Sequence, residues 1–318
     1  MNTARPIRTG TRGSPLALVQ TRTFLRLLAA VPGAGAGHEV VIATTGDAVL
    51  DRPLADIGGK GLFAKEIHEA LLGHRIDCAV HSLKDLETEL PPGIVLGCVL
   101  PREDPRDVLI LSGPILRDRD ATAGAADPLE ALPYAALVGT SSVRRQAQLL
   151  HRRPDLRLAP IRGNVQTRLE KLRNGEFQAT MLALAGLRRL EMDVPGMVVL
   201  DPAIMVPAAA QGIVGVTVRA GDTALRAVLA EMEDPASRIA ATAERALLGS
   251  LDGSCRTPIG AHAHLLPDGC LTLTGLVARA DGSFLLKRSL DGTPAGAQRL
   301  GEQLGAMLRG DSPAGLFA

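Results

Sequence analysis

Tryptophan is absent from this 318-residue sequence, and the other aromatics amount to one tyrosine and five phenylalanines. So few flat faces are poor stacking platforms for unpaired bases, which weighs against a single-stranded nucleic-acid binder. Cysteine is scarce as well. Cys78, Cys98, Cys255 and Cys270 show no CxxC spacing and are too thinly spread for a disulfide scaffold, so free thiols in a reducing compartment are expected. No apolar stretch approaches the ~20 residues of a membrane-spanning helix, and the opening MNTARPIRTGTRGS lacks the apolar run of an export signal. A soluble, cytoplasmic protein without a membrane partner is expected. What remains is ordinary for a globular chain: 46% hydrophobic and 22% charged residues exclude disorder, collagen-like repeats and a coiled coil. At ~150 residues per domain the length suggests two or three domains.

The net charge is only +1, yet it is unevenly placed. Between Thr140 and Arg189 eleven cations face three acids, Asp155, Glu170 and Glu176. A segment at +8 implies anionic company, either nucleic acid or a polyanionic small molecule. Lysine is rare, five against thirty arginines, but Lys60, Lys65 and Lys84 fall within twenty-five residues. Positions that keep a compact ammonium in so arginine-biased a chain are candidates for packing into a site.

Short apolar runs alternate with helical patterns over the first two hundred residues, the mark of parallel α/β architecture. A strand near Pro6–Thr11 leads to Ser14 as N-cap and Pro15 as first residue of a helix through Ala30. A strand is expected over Glu39–Thr44, and a loop over Asp56–Gly61. A helix follows with Phe63, Ile67, Ala70 and Leu71 on one face and Gly73 as its stop, then a strand over Cys78–Leu83. The pattern restarts with strands at Ala135–Val138, Leu156–Ile161 and Thr180–Leu184. Between them lie helices from Val143 to Leu150 and from Val165 to Asn174-Gly175. Two such βα lobes suggest ligand binding in a cleft between them. Beyond about Asp234 come three strands with Pro-Asp-Gly and Ala-Asp-Gly turns and a helix near Ala295–Leu308, a small α+β part.

Several motifs fall away on inspection. Gly33-Ala-Gly35-Ala-Gly37 lies between helix and strand rather than strand and helix, so it reads as a loop and not a dinucleotide fingerprint. Gly58-Gly59-Lys60-Gly61 lacks the first glycine and the Ser/Thr of a phosphate loop. His262 and His264 share one strand face near Cys255 but lack a fourth metal ligand. Three helix starts are more informative: Arg12-Gly-Ser14, Gly139-Thr140-Ser141-Ser142 and Arg162-Gly163-Asn164. Each alone reads as an ordinary cap. Together, beside so many guanidinium groups, they favour a site for several carboxylates. Asp85 follows Lys84 at a strand end, either a surface ion pair or part of that site. Cys255, in a Gly/Ser/Pro loop beside Arg256, is either an activated thiol or filler.

TRGSPLAL, TTGD, IGGKGLFAKEI, DCAVHSLKDL, REDPRDVL, GTSSVRRQAQL, RRPDL, IRGNVQTRLEKL, LALAGLRRL, AAAQGIVGV and GSCRTPIGAHA occur in one order from Arg12 to Ala263. As a set they resemble the porphobilinogen deaminase, or hydroxymethylbilane synthase, family. Leu86-Glu87 stands where Val/Leu-Pro is common, and Ser254-Cys-Arg256 replaces a frequent Gly-Cys-Gln/Arg; neither removes a functional group. The resemblance implies two periplasmic-binding-protein-like α/β lobes, 5–101 with 212–231 and 106–206, plus an α+β third domain, 235–318. It implies a dipyrromethane cofactor joined by a thioether to Cys255, and condensation of four porphobilinogen molecules with loss of ammonia into a linear tetrapyrrole. Asp85 matches the catalytic carboxylate. Arg12, Arg144, Arg145, Arg162, Arg168 and Arg189 match cofactor and substrate arginines, with Ser14, Lys60, Lys84, Thr140 and Ser142 as accompanying donors. No metal, nucleotide or nucleic acid is implied, and a monomer is expected. A two-lobed binding protein for polycarboxylates is the competing reading; it has no use for the cysteine loop.

Overall fold

A computed structural model describes residues 5–48, 63–118, 127–251 and 257–317. Four strands open the chain: β1 (Ile7–Thr11), β2 (Gly37–Val41), β3 (Cys78–Ser82) and β4 (Ile94–Val99). Five follow: β5 (Asp107–Leu111), β6 (Leu137–Gly139), β7 (Arg157–Ala159), β8 (Ala179–Ala183) and β9 (Met197–Val199). Then come β10 (Val214–Arg219), β11 (Ile259–Leu265), β12 (Leu271–Ala278) and β13 (Leu285–Gly292). The chain divides into two compact units, Met1–Glu103 with Ala210–Thr242, and Asp104–Ala209 with Ala243–Ala318.

The first unit's sheet has the order β2-β1-β3-β10-β4, and the second unit's larger sheet β7-β6-β8-β5-β9. In each, the first three strands pair in parallel, and the strand in fourth position runs antiparallel to both of its neighbours. The sheets are therefore mixed rather than parallel. The antiparallel fourth strand comes from outside each unit's own βα run: β10 returns late to the first sheet, and β5 precedes the second. Such long-range pairings leave no periodicity in the sequence.

Local signals were accurate where caps set them. The helix Pro15–Ala30 has Ser14 as N-cap, its side chain accepting from Ala17 N, and buries Gln20, Thr21, Phe24 and Leu28. The strand expected over Glu39–Thr44 is displaced to Gly37–Val41, because its register begins with Ile7 opposite Gly37. The next helix starts at Lys65, leaving Phe63 outside it, and Lys65 is exposed. It stops at Gly73 as expected, with Gly73 as C-cap at φ −79° and His74 taking the left-handed turn at φ 57°.

The inner strands β3 and β5 are covered on both faces, so they read as nearly continuous apolar runs. On β3, Cys78 and Val80 pack with Phe24 and Leu28, while Ala79 packs with Ile67 and Leu71 on the opposite face. On β5, Leu109 and Leu111 join one core and Val108 and Ile110 another. The antiparallel sheet β11-β12-β13 belongs to the second unit, where Leu276 and Ala278 pack with Ala147 and Val206. Gly282 closes its second turn at φ 75°; a Cβ there would sit 2.6 Å from His151 N. In the first unit Gly212, at φ 89°, lets its segment approach Glu103 O, which a Cβ would meet at 2.1 Å.

Candidate active site

In the first unit, the candidate site side chains gather beyond the C-terminal ends of parallel β1 and β3, the edge at which α/β sheets bind ligands. Arg12 follows β1, Ser14 caps the next helix, and Lys84 and Asp85 lie on the 3₁₀ turn Leu83–Asp85 after β3. Arg12, Ser14, Gln20, Phe63, Lys84 and Asp85 line one pocket. The Asp85 carboxylate is exposed, and its Oδ2 lies 4.0 Å from Arg12 Nη1. Lys84 Nζ donates to Oε1 of buried Gln211 at 3.1 Å.

Arg12 is held along one edge and on one face. Its Nε donates to Asp47 Oδ2 at 3.0 Å and its Nη2 to Asp47 Oδ1, while its plane lies 3.9 Å over the Phe63 ring. Burial opposes the charge on Arg12, but its hydrogen bonds to Asp47 and the field of Asp85 outweigh it and raise its pKa. Burial likewise opposes ionisation of Asp47, yet Arg12 and the Thr44 hydroxyl hold that carboxyl below its ordinary range.

Alternation along β3 turns Ser82 toward Gln20, whose Nε2 donates to Ser82 Oγ at 2.9 Å, and His81 toward the opposite face. There His81 shares a 2.9 Å hydrogen bond with Thr217 Oγ1, and its ring centre lies 6.0 Å from that of His68. Burial, with His68 and Arg12 nearby, pushes the His81 pKa down to about 3, so the imidazole is neutral.

The second unit uses its arginines differently. Arg144 and Arg145 open the helix Val143–Arg152, capped by Ser142, yet they are only 5% and 7% exposed. Asp107, at the start of β5, accepts from Arg144 Nη1 at 2.7 Å and from Arg145 Nε and Nη2 at 3.1 and 2.7 Å. Arg144 Nη1 also donates to Val206 O, and Arg145 Nη1 to Met181 O. Arg144 Nε and Nη2 donate to no described residue. Burial lowers the Arg144 pKa, with Asp107 opposing. Thr140 is buried, its Oγ1 accepting from Ser142 N at 3.2 Å. Arg162, Arg168 and Arg189 are half-buried, and Arg168 Nε donates to Gly163 O. The positive segment is thus partly interior.

Lys60, the Gly58–Gly61 loop and Cys255 lie outside the described residues. Burial pushes the Cys78 and Cys98 thiols up to about 12, and half-buried Cys270 donates to Gly292 O at 3.6 Å. His262 and His264 sit side by side, 6.3 Å between ring centres. Among the described residues no group of three His, Cys, Asp or Glu side chains is arranged for a metal. Sequence reasoning gave no role to Asp47, Phe63, Asp107 or Gln211. Their motifs TTGD, IGGKGLFAKEI, REDPRDVL and AAAQGIVGV were visible, but what those side chains touch was not.

The fold and the pocket thus present an α/β protein with an exposed carboxylate beside cations at its strand ends. Residues 7–227 match the family model described as porphobilinogen deaminase, dipyromethane cofactor binding domain, and residues 238–310 match that of the C-terminal domain. The chain belongs to the porphobilinogen deaminase family. It is a transferase of tetrapyrrole biosynthesis and carries the dipyrromethane-cofactor domain. It is 48% identical to a porphobilinogen deaminase of Paracoccus denitrificans, over 98% of this chain and 96% of the relative. It is also 48% identical to a chloroplastic porphobilinogen deaminase of Oryza sativa, over 90% and 78%. A solved VFT2 domain of Bordetella pertussis BvgS is remoter: 12% identity, 73% of this chain and 87% of that one, TM-score 0.42. The fold class is α/β: two units, each built on a five-stranded mixed sheet, with a small α+β part. Among the described residues no helix is long and apolar enough to cross a membrane.

Proposed function

We propose that this chain condenses four porphobilinogen molecules, releasing ammonia from each, with Asp85 as the catalytic carboxylate and Cys255 as the cofactor attachment. The observation that supports this reading best is the exposed Asp85 carboxylate in the pocket, flanked by Arg12 and by Lys84. The described residues fit a dipyrromethane and its substrate. Both bring carboxylates and pyrrole N–H groups. Arg12 Nη1 and the spare Nε and Nη2 of Arg144 are donors for the first, and Asp85 is an acceptor for the second. When bound, the dipyrromethane supplies the free α-carbon that is extended.

Arg12, with Ser14 and Lys84, receives the acetate and propionate of an incoming porphobilinogen and orients its ring. Asp85 then accepts from the pyrrole N–H. Loss of ammonia leaves positive charge spread over the ring, and a fixed carboxylate stabilises that charge more than it stabilises the neutral substrate. Lys84 is anchored on Gln211, so its ammonium serves as a fixed counter-charge for substrate carboxylates. Buried His81 stays neutral and does not compete for Asp85. In the second unit Arg144 and Arg145 hold cofactor carboxylates, whereas Arg162, Arg168 and Arg189 receive the later rings. Thr140, Ser142 and Lys60 add donors.

The enzyme is further read as a cytoplasmic monomer. The third domain, 235–318, is supported by the break between the two family matches after residue 227. The test is the intact mass of the purified protein. It should exceed the sequence mass by one dipyrromethane, and Cys255→Ala should lose both increment and activity. An active protein without the increment, or an adduct mapping to Cys270, overturns the reading.

A further inference from the structure

Arg12 is the only arginine of the pocket wall among the described residues, and its three edges are unequally engaged. The Nε–Nη2 edge is taken bidentately by Asp47, and one face lies on Phe63. Nη1 projects toward Asp85 at 4.0 Å, beyond a hydrogen bond. Asp47 is itself fixed, since buried Thr44 donates to its Oδ2 at 2.8 Å. It also sits on the turn Thr45–Ala48, where Thr45 N donates to Glu66 Oε1 at 3.0 Å. Two carboxylates therefore flank one guanidinium. The half-buried one holds its fork, and the exposed one faces only its free edge.

We propose that Asp47 is a positioning residue for the reaction: it grips Arg12 by the Nε–Nη2 edge, presents Nη1 to an incoming carboxylate, and keeps the fork off Asp85. The physical reason is competition. A guanidinium fork pairs most strongly with a carboxylate it can meet bidentately. Without Asp47, Asp85 is the nearest carboxylate to Arg12 among the described residues, and a closed Arg12–Asp85 pair would occupy both groups that the substrate needs. Phe63 restricts the ring plane but not rotation within it, so the aromatic contact alone leaves the fork free to turn. This inference rests on the reading that Arg12 receives substrate carboxylates and Asp85 is catalytic.

A double-mutant cycle tests it, because a residue that acts only through Arg12 has no effect once Arg12 has no fork. In the wild-type background Asp47→Asn should lower kcat/KM about tenfold. Arg12→Lys keeps a charge but removes the fork, and there the same Asp47→Asn change should cost less than twofold. Asp47→Glu, which restores the charge, should recover part of the loss. Thr44→Val, a milder change, should cost two- to threefold in wild type and nothing beside Arg12→Lys. It carries the test if Asp47→Asn folds poorly. Equal losses in both backgrounds, tracking a fall in Tm, would make Asp47 a structural residue of its turn and overturn the proposal. Failure of the underlying reading looks different: Asp85→Ala would then keep its turnover whatever the cycle gives.

Discussion

Arg12 in the first unit and the Arg144–Arg145 pair in the second meet their carboxylates in opposite ways. Arg12 stands in a pocket wall with one edge outward, between a carboxylate that holds it and an exposed one that it only approaches. Arg144 and Arg145 close on a fully buried Asp107 and on two backbone carbonyls. The same side chain thus serves two purposes. At the first site the charge faces the pocket and an exposed carboxylate stands beside it. At the second, most donors are committed to the frame, and what remains for a ligand is a rigid, pre-oriented remnant. Binding groups fixed in this way lose little freedom when a ligand arrives.

The largest expected effect breaks the buried side of this comparison. Asp107→Asn leaves two interior guanidinium groups without their counter-charge, and removing one partner of a buried pair typically costs ~3–5 kcal/mol. Urea denaturation should show that loss; a change under about 1 kcal/mol would mean that the cluster is not the frame it resembles. Arg144→Ala should cost less, because Asp107 and Arg145 still balance.

A second effect, of intermediate size, belongs to the first unit. His81 is held neutral when folded, with its pKa at about 3, whereas an unfolded histidine titrates near ~6.5. Below that pH the unfolded chain takes up a proton that the folded site refuses. Stability is therefore full above about pH 6.5 and declines toward pH 3, by up to ~1.4 kcal/mol per pH unit. His68, also lowered chiefly by burial, acts in the same direction. Denaturation midpoints between pH 7 and 5 should fall less steeply for His81→Asn than for wild type. An unchanged slope would remove His81 from the account.

The smallest effect sharpens the comparison by matching the two units. Ser14 and Ser142 each cap a helix with an acceptor 3.4 Å from the amide three residues on. Ser14→Ala and Ser142→Ala should each cost ~0.5–1 kcal/mol of stability, the lower end for caps, as the long contacts imply. A markedly larger loss at one of them would show that the hydroxyl carries more than its cap.

Much of this was legible in the sequence where the cause was local. Ser14-Pro15 marked a helix start, Asn174-Gly175 a helix end and Asp281-Gly282 a turn, because capping and left-handed turns are decided by neighbouring residues. The pairing of β10 with β3, from Val214 opposite Ser82, was not legible, since nothing local distinguishes an antiparallel partner more than a hundred residues away. Asp85 stood out through its neighbour Lys84. Asp47 and Asp107 did not, because their partners lie thirty-five and thirty-seven residues distant. The burial of Arg144 and Arg145 was hidden for a further reason: a run of cations reads as surface until a buried acid is seen to hold it.

The most direct test of the division between the two units is the intact mass of two variants after brief incubation with porphobilinogen. Asp85→Ala should carry the dipyrromethane increment but add no further rings, with turnover down more than a hundredfold, at least ~2.7 kcal/mol of barrier. Arg144→Ala should be mainly free of the increment. The same mass ladder for both variants, or rings accumulating on Asp85→Ala at the wild-type rate, would contradict the account.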